Sequence, residues 1–331
     1  MKALILAAGF GTRLWPLTED RTKAAIPFLN QPLINYSVEY LSSHGIRDII
    51  INLHHQPESI TTALGDGSRL GVKIEYSLEE EILGTSGALD RVRESLVDDF
   101  VVINGKIVTT IDLAQVIAEH RRQNAIATLV LKRNRALEHF SIVETDDRGW
   151  ITRFAGFPGA ALMQEAVGEP ANNIGAVAST ASDTPLMFTG IQVLSPRILE
   201  YVPRGCFSHS TIHVYPQAIA AGEAVIGHVS EADWYEMSTL GRYLEAHQRL
   251  QNGSVTIGEA CVIEPGATVE QSILWNRVTI ESGARVCRSV LAEGVSIPAD
   301  TVIDGAVVVR RDIVRQIERG EVIGENVIVP I

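Results

Sequence analysis

Cysteine is scarce in this chain, which has only three cysteines among 331 residues. Cys206, Cys261 and Cys287 form neither a zinc-ligand spacing nor a disulfide framework. An excess of positive charge is also lacking: the net charge of −12 argues against nucleic-acid and anionic-membrane partners. No apolar run reaches transmembrane length, and the first residues are too short and too glycine-interrupted for a signal peptide. We therefore expect a cytoplasmic protein.

The length of the chain predicts more than one domain, because 331 residues exceed the usual size of a single hydrophobic core. Hydrophobic residues make up 46% and charged residues 21%, which is typical of a globular protein. The sequence pattern changes after Asn252. We therefore expect one domain over residues 1–250 and a second over residues 251–331.

A glycine turn with two cations follows the first apolar strand: Ala3–Ala8, Gly9, Gly11, Thr12, Arg13 and Lys23. Glycines let the backbone approach a ligand, and successive N–H groups in such a turn can bind an anion. Arg13 and Lys23 would add charge-assisted contacts to phosphate oxygens. The alternative is a tight strand-to-helix turn with surface charges. The spacing lacks the third glycine of a dinucleotide fingerprint and the GK[ST] ending of a P-loop.

The same stretch resembles the signature of the sugar-1-phosphate nucleotidyltransferases, LAAGxGTRLxPLTxxxPKxxxPfxxxPlI. Fourteen positions fall in register: Ala7, Ala8, Gly9, Gly11, Thr12, Arg13, Leu14, Pro16, Leu17, Thr18, Lys23, Pro27, Pro32 and Ile34. One departure is that Thr22 and Ala24 flank the lysine, where the family often has proline. The resemblance implies that Ala7, Ala8 and the Gly9–Arg13 turn bind a nucleotide, and that Arg13 and Lys23 act in catalysis.

Strands and amphipathic helices alternate up to about residue 250, which predicts a Rossmann-like α/β fold. Its sheet is expected to be mostly parallel, with flanking helices and ligands at the carboxyl ends of the strands. The predicted strands are Ala3–Ala8, Asp48–Asn52, Val72–Tyr76, Phe100–Asn104, Ala127–Leu131 and Leu186–Leu194, with a hairpin at Ser141–Glu144 and Trp150–Phe154. The predicted helices are Ile34–His44, Glu58–Leu64, Gly87–Leu96, Leu113–Gln123 and Ser195–Tyr201. Residues 159–184 are expected to form a long loop.

Apolar residues then recur every six positions, which predicts a short left-handed parallel β-helix. They are Ile257, Ile263, Val269, Leu274, Ile280, Val286, Leu291, Ile297, Ile303 and Val309, with one-residue slips near Ser272 and Ser289. A β-sandwich is the alternative, and Arg311–Arg319 is expected to form a capping helix. Because no histidine lies beyond His247 to act as a base, we expect the prism to serve oligomerisation or regulation. Its deletion should then leave nucleotide binding in place.

A second family segment lies at Tyr76–Leu89, with Glu79, Glu81, Gly84 and Thr85 in place. Gly84 would let a base lie against the backbone. A carboxylate accepts hydrogen bonds from the N1–H and N2–H groups of guanine, which favours GTP. The alternative is that the acidic residues form a solvated loop.

The family pattern fails where a catalytic Mg²⁺ would bind. The resemblance implies that Asn104 and Gly105 bind the nucleotide and that an aspartate follows them, but Lys106 stands there, and an ammonium repels a metal ion. Asp112 matches a later family aspartate, but it precedes a helical pattern and is more simply an N-cap. Glu236 keeps a carboxylate at the second metal position.

The lysine that the family uses for the sugar phosphate is also absent, since Phe157 stands in its place.

Several functions remain open on the sequence alone. The first is a transferase that joins a nucleoside triphosphate and a sugar 1-phosphate and releases pyrophosphate, GTP and mannose 1-phosphate being favoured. The second is a non-catalytic paralogue that binds nucleotide or nucleotide sugar and regulates an active homologue. A hexapeptide acyltransferase is the third. We expect a homo-oligomer, and Mg²⁺ is in doubt as a cofactor.

Overall fold

The computed structural model describes residues 1–156 and 184–331. Most of the predicted loop over 159–184, and Phe157 with it, lie outside these residues. The strands of the N-terminal part are β1 Lys2–Leu6, β2 Pro27–Phe28, β3 Gln31–Pro32, β4 Asp48–Leu53, β5 Lys73–Leu78, β6 Phe100–Asn104, β7 Ile107–Thr109, β8 Ala127–Arg133, β9 Ile142–Thr145, β10 Ile151–Phe154, β11 Leu186–Leu194, β12 Val225–Val229 and β13 Trp234–Glu236. The α-helices are α1 Leu33–Ser43, α2 Glu58–Leu64, α3 Gly84–Arg91, α4 Leu113–Arg122, α5 Tyr215–Ala220 and α6 Leu240–Leu250.

Nine strands form the main sheet, as the alternating pattern predicts. Along its principal path the order is β10-β9-β11-β6-β1-β4-β5, and β8 pairs with β11 and with β12. The neighbours β6, β1, β4 and β5 run parallel, whereas β11 runs antiparallel to β6. The mostly parallel α/β core is therefore confirmed.

Alternate residues of each central strand enter different cores, because successive side chains point to opposite faces of a sheet. Ala3 and Ile5 of β1 pack in a cluster with helices α1, α2 and α4. Leu4 packs on the other face with α3 and α5. The sheet is thus covered on both sides, and the carboxyl ends of its parallel strands meet at one edge.

Most predicted elements occur with small shifts at their ends. Helix α3 begins at Gly84, earlier than predicted, and ends at Arg91 before a 3₁₀ turn at Arg93–Ser95. The helix predicted at Ser195–Tyr201 is a 3₁₀ helix over Pro196–Tyr201. The first glycine turn leads into a 3₁₀ turn of three residues, Thr12–Leu14, and not into an α-helix.

The C-terminal part is a prism of three stacked parallel sheets, consistent with the predicted left-handed β-helix. Its strands are β14 Thr256–Ile257, β15 Val262–Ile263, β16 Thr268–Glu270, β17 Ile273–Leu274, β18 Thr279–Ile280, β19 Arg285–Cys287, β20 Val290–Leu291, β21 Ser296–Ile297 and β22 Val302–Asp304. Each strand of the first two coils pairs in parallel with its counterpart in the next coil.

Each coil is one residue shorter than three complete hexapeptides, which explains the two slips in the sequence. Ser289 donates its backbone N–H to the Ser272 hydroxyl at 3.0 Å, across a separation of 17 residues. Ala306 donates in the same way to Ser289 at 3.2 Å, again 17 residues on. The buried serines therefore stack at the short corner, where their hydroxyls satisfy the backbone.

The predicted capping helix at Arg311–Arg319 is wrong. A 3₁₀ turn at Arg311–Ile313 is followed by two strands, β24 Glu321–Ile323 and β25 Asn326–Pro330. β25 pairs antiparallel with β23, Ala306–Arg310, and buries Val327 and Val329. Val327 and Val329 are spaced by two residues, as on one face of a strand and not of a helix, and their strand covers the end of the prism.

No helix of the described residues is long and apolar enough to cross a membrane.

Candidate active site

The glycine turn follows strand β1 and requires glycine at one position. Gly11 has a φ of 73°, and a Cβ there would lie 3.0 Å from Thr18 Cγ2 and 3.2 Å from Lys23 Cβ. The Thr18 hydroxyl donates to the Gly11 carbonyl at 3.2 Å and closes the turn. The turn therefore packs directly against Lys23, so the two parts of the N-terminal motif lie together.

A cavity of about 230 Å³ lies at the carboxyl ends of strands β1, β4, β5 and β6. It brings together the predicted catalytic Lys23 and most of the predicted nucleotide-binding residues: Ala7, Ala8, Gly9, Glu79, Gly84, Thr85, Asn104 and Gly105. Lys106, Asn52 and His209 complete much of the remaining wall.

A second cavity of about 420 Å³ contains Arg13, Lys106 and Glu236. The two cavities share Leu6, Thr85, Asn104, Lys106 and His209 as lining residues. A single extended ligand, or two ligands in contact, could therefore occupy both.

Three predicted residues do not line either cavity. Gly11 and Thr12 lie within the turn and shape it. Glu81 is exposed, so its placement gives no support to a role in binding a base.

Glu79 is buried in the wall of the smaller cavity and is already hydrogen-bonded. Its Oε1 accepts from Asn52 Nδ2 at 2.7 Å, and its Oε2 accepts from the Leu83 backbone N–H at 3.0 Å. Asn52 Oδ1 in turn accepts from the Ala7 N–H at 2.7 Å. This chain of contacts joins the ends of β1, β4 and β5 and fixes the carboxylate in place.

The structure requires glycine at position 84 for a reason other than the predicted contact with a base. Its φ is 77°, and a Cβ there would collide with the backbone oxygen of Ser208. The N–H of Ser86 donates to the same Ser208 oxygen at 3.0 Å. The glycine thus admits the 206–208 segment, which in turn carries His209 to the junction of the two cavities.

Lys106 and Glu236 form an ion pair between the cavities. The antiparallel pairing of β13 with β7 places Glu236 opposite Ile107, beside Lys106. Glu236 is only 4% exposed. Burial opposes its ionisation, but the charge of and hydrogen bond from Lys106 outweigh this, and the pKa of Glu236 is held below its usual value.

These residues do not fit a divalent cation. Members of the family typically use Mg²⁺, which needs oxygen ligands with near-octahedral geometry. In residues 1–156 and 184–331 no group of three or more His, Cys, Asp or Glu side chains could hold a metal ion. The ammonium of Lys106 donates a hydrogen bond to one carboxylate oxygen of Glu236. Asp112 is the N-cap of α4, where its Oδ1 accepts from the Ala114 N–H at 3.0 Å.

Several lining residues escaped the sequence interpretation. Asn52 ends β4, so the rule that parallel strands meet at one edge could have found it. His209, Arg242 and Glu138 come from distant segments whose approach is set by tertiary packing. His209 stands directly before a π-helical turn, Ser210–Val214, a feature frequent at functional sites.

Comparison with known proteins agrees with this arrangement. The family described as Nucleotidyl transferase matches residues 2–253, and the GlmU-like, C-terminal hexapeptide family matches residues 243–328. A mannose-1-phosphate guanylyltransferase of Mycobacterium tuberculosis is 27% identical over 91% of this chain and 82% of its own length. A UTP--glucose-1-phosphate uridylyltransferase of Synechocystis is 29% identical over 85% of this chain and 72% of its own.

A solved structure shows the same fold. A Bacillus anthracis protein assigned to the glucose-1-phosphate thymidylyltransferases superposes with a TM-score of 0.61 at 21% identity, covering 77% of this chain and 96% of that one. The family match spans most of the chain, and the fold and motif placement agree with it. The chain therefore belongs to the sugar-1-phosphate nucleotidyltransferase family and carries a GlmU-like hexapeptide domain.

Proposed function

We propose that this chain joins a nucleoside triphosphate and a sugar 1-phosphate in the two connected cavities and releases pyrophosphate. The observation that carries the proposal is the convergence of four cations on the cavities: Arg13, Lys23, Lys106 and Arg242. Burial, followed by the charges of Lys106 and Arg13, lowers the pKa of Lys23 to about 8. Cations gathered closely enough to disfavour one another's charge are suited to the several phosphate groups that the two substrates bring together.

In the proposed reaction an oxygen of the sugar phosphate attacks the α-phosphorus, and the bond to the β-phosphate bridging oxygen breaks. Pyrophosphate leaves with the electron pair. The protein's work in such a transfer is positioning and charge neutralisation. Arg13 and Lys23 would hold the triphosphate and the leaving group, and Lys106 would supply positive charge where a metal-binding aspartate is absent.

GTP and mannose 1-phosphate are the substrates that we favour. Glu79 supports guanine, because its carboxylate lines the smaller cavity and each of its oxygens can accept a further hydrogen bond. Two relatives named mannose-1-phosphate guanylyltransferase, from Mycobacterium tuberculosis and Arabidopsis thaliana, cover 91% and 99% of this chain. The Synechocystis relative, named for UTP and glucose 1-phosphate, keeps uridine and glucose as competing choices.

A binding-only role is the second candidate, and the Lys106–Glu236 ion pair favours it. A site without metal carboxylates can retain its nucleotide turn and lose turnover. Such a chain would bind nucleotide or nucleotide sugar and regulate an active homologue.

Pyrophosphate release from a panel of nucleoside triphosphates and hexose 1-phosphates, with and without Mg²⁺, tests the proposal. Release with one preferred pair supports the transferase. Calorimetric binding of GTP without release supports the binding-only role. Absence of both would refute a nucleotide site. The homo-oligomer, the cytoplasmic location and the division at residue 250 stay predictions, to be tested by light scattering, cell fractionation and limited proteolysis.

A further inference from the structure

Arg242 is turned back toward the larger cavity from the first turn of α6. Its backbone N–H donates to the Thr239 hydroxyl at 3.3 Å, which caps the helix. Its side-chain Nε donates to the Glu236 carbonyl at 2.9 Å. Because both the backbone and the Nε of Arg242 are anchored, the guanidinium lines the cavity with only 21% of the side chain exposed.

Two aromatic rings lie against this guanidinium. Its central carbon lies 5.1 Å from the centre of the Phe140 ring and 5.7 Å from the centre of the Trp234 ring. Phe140 and Trp234 contact each other edge to face, with centroids 5.7 Å apart. An aromatic wall of this kind favours arginine over lysine, because the flat guanidinium stacks where an ammonium cannot.

The guanidinium of Arg242 faces two carboxylates, those of Glu138 and Glu236, and keeps N–H groups free for a ligand. Glu138, more exposed than Arg242, forms an ion pair with it. A guanidinium has more N–H groups than its bonds to Glu138 and Glu236 use. Burial lowers the pKa of Arg242, and this effect with that of Arg13 outweighs the opposing charge of Glu245. Arg13 and Arg242 line the same cavity, so two cations face the same space.

The same cavity contains a buried carboxylate oxygen that accepts no well-formed hydrogen bond. Glu236 is 4% exposed, and within the described part of the chain its Oε2 has no hydrogen-bond partner of good geometry, although the Ser238 side chain is close enough to lower the pKa of this carboxyl. This oxygen lies 3.7 Å from Arg242 Nε. A ligand that fits this cavity therefore carries an anionic group for Arg242 and a hydroxyl donor for Glu236. A sugar phosphate carries both.

We propose that Arg242 binds the phosphate of the sugar 1-phosphate in place of Glu138, and that Glu236 Oε2 accepts a hydrogen bond from the sugar. The inference rests on the proposed function, since it assigns the larger cavity to the second substrate. Arg242 contacts the phosphate and sets its position before the nucleotide reacts.

Calorimetry with the full chain tests this, using mannose 1-phosphate and GTP as separate ligands. Arg242→Gln should lower the affinity for mannose 1-phosphate about tenfold or more and change the affinity for GTP less than about twofold. Arg249→Gln is the matched control on the same helix, because Arg249 is 63% exposed and pairs only with Glu245 among the described residues. It should change neither affinity.

A second variant keeps the test decisive if Arg242→Gln folds poorly. Glu138→Gln should raise the affinity for mannose 1-phosphate severalfold, because it removes the competing carboxylate. Unchanged binding of mannose 1-phosphate by a folded Arg242→Gln protein, or weaker binding by Glu138→Gln, would overturn the inference. Parent protein that binds GTP but no hexose 1-phosphate overturns the inference alone. Parent protein that binds neither overturns the proposed function as well.

Discussion

Arg21 Nη2 donates to Glu293 Oε2 at 2.8 Å, and this contact joins the N-terminal motif to the β-helix. The guanidinium also lies 5.0 Å from the centre of the Trp275 ring. Arg21 belongs to the loop between Arg13 and Lys23, so the prism holds the segment that carries both proposed phosphate-binding cations.

The loop and the coils also share one hydrophobic core. Leu14, Leu17 and Phe28 lie in the same buried cluster as Leu274 and Ile280. Deleting the coils would expose these side chains. The deletion is therefore expected to weaken nucleotide binding, in contrast to the expectation from the sequence. Loss of the Arg21–Glu293 contact alone tests the same coupling.

Arg21→Ala should lower both stability and nucleotide affinity. Loss of a charge-assisted hydrogen bond on a side chain that is 19% exposed should reduce the free energy of unfolding by about 1.5–3 kcal/mol. GTP affinity should fall severalfold as the loop becomes less ordered. Denaturant unfolding and calorimetry measure the two effects.

Arg277→Ala is the control for this variant. Arg277 contacts the same Glu293 at 2.8 Å but is 64% exposed and lies in the prism. Its removal should alter unfolding by less than about 1 kcal/mol and leave GTP affinity unchanged. Equal effects of the two substitutions, or normal GTP binding by Arg21→Ala, would contradict the proposed coupling.

Glu79→Gln should weaken GTP binding about tenfold or more, because a neutral amide replaces the charged acceptor for guanine. UTP binding should change much less. Glu81→Gln, at an exposed position outside both cavities, should affect neither nucleotide. Calorimetry with the two nucleotides separates the cases. Equal losses for GTP and UTP would show that Glu79 supports the wall through Asn52 and does not read the base.

Lys23 should make nucleotide binding depend on pH. With its pKa lowered to about 8, Lys23 is charged below that pH and increasingly neutral above it in the free protein. A bound polyphosphate favours the charged form and raises the pKa again, so GTP affinity should fall as pH rises through about 8. Near pH 8–9, binding should be accompanied by proton uptake.

Calorimetry in buffers of different ionisation enthalpy detects this uptake. Lys23→Arg should bind GTP without the pH step, because a guanidinium stays charged. An identical pH profile in the parent and in Lys23→Arg would remove Lys23 from the phosphate site.

The site was predictable where the sequence places chemistry next to a strand end. Glu79 and the Gly9 turn follow parallel strands and Asn104 ends one, and they do meet in one cavity. His209 and Arg242 were missed because their positions depend on how segments far along the chain pack, which no local pattern encodes. The sequence indicated Lys106 and Glu236 only as two separate departures from the family pattern. Their contact follows from the register of two short strands.

The fold shows the same division. Sixfold periodicity predicted the prism, and the slips at Ser272 and Ser289 are explained by the 17-residue coil that the structure shows. The terminal segment was misread because charged residues at 311–319 resemble a helix end. The prism is capped by the strand that carries Val327 and Val329. Their alternation indicates a buried face only once the pairing with β23 is known.

In the proposed function the Lys106 ammonium, held by Glu236, takes the place of a divalent cation at the nucleotide phosphates. Lys106→Asp should reverse this, because a second carboxylate beside Glu236, with phosphate oxygens and water, can hold Mg²⁺. The variant should bind GTP more tightly in Mg²⁺ than in EDTA, and any turnover should become Mg²⁺-dependent.

The most direct measurement is the GTP affinity of the parent protein and of Lys106→Asp, each determined by calorimetry in Mg²⁺ and in EDTA. We expect the parent to bind equally well in both and the variant to bind at least about tenfold more tightly in Mg²⁺. Two results together would contradict the account: the parent protein binds GTP only with Mg²⁺, and Lys106→Asp does not change this binding.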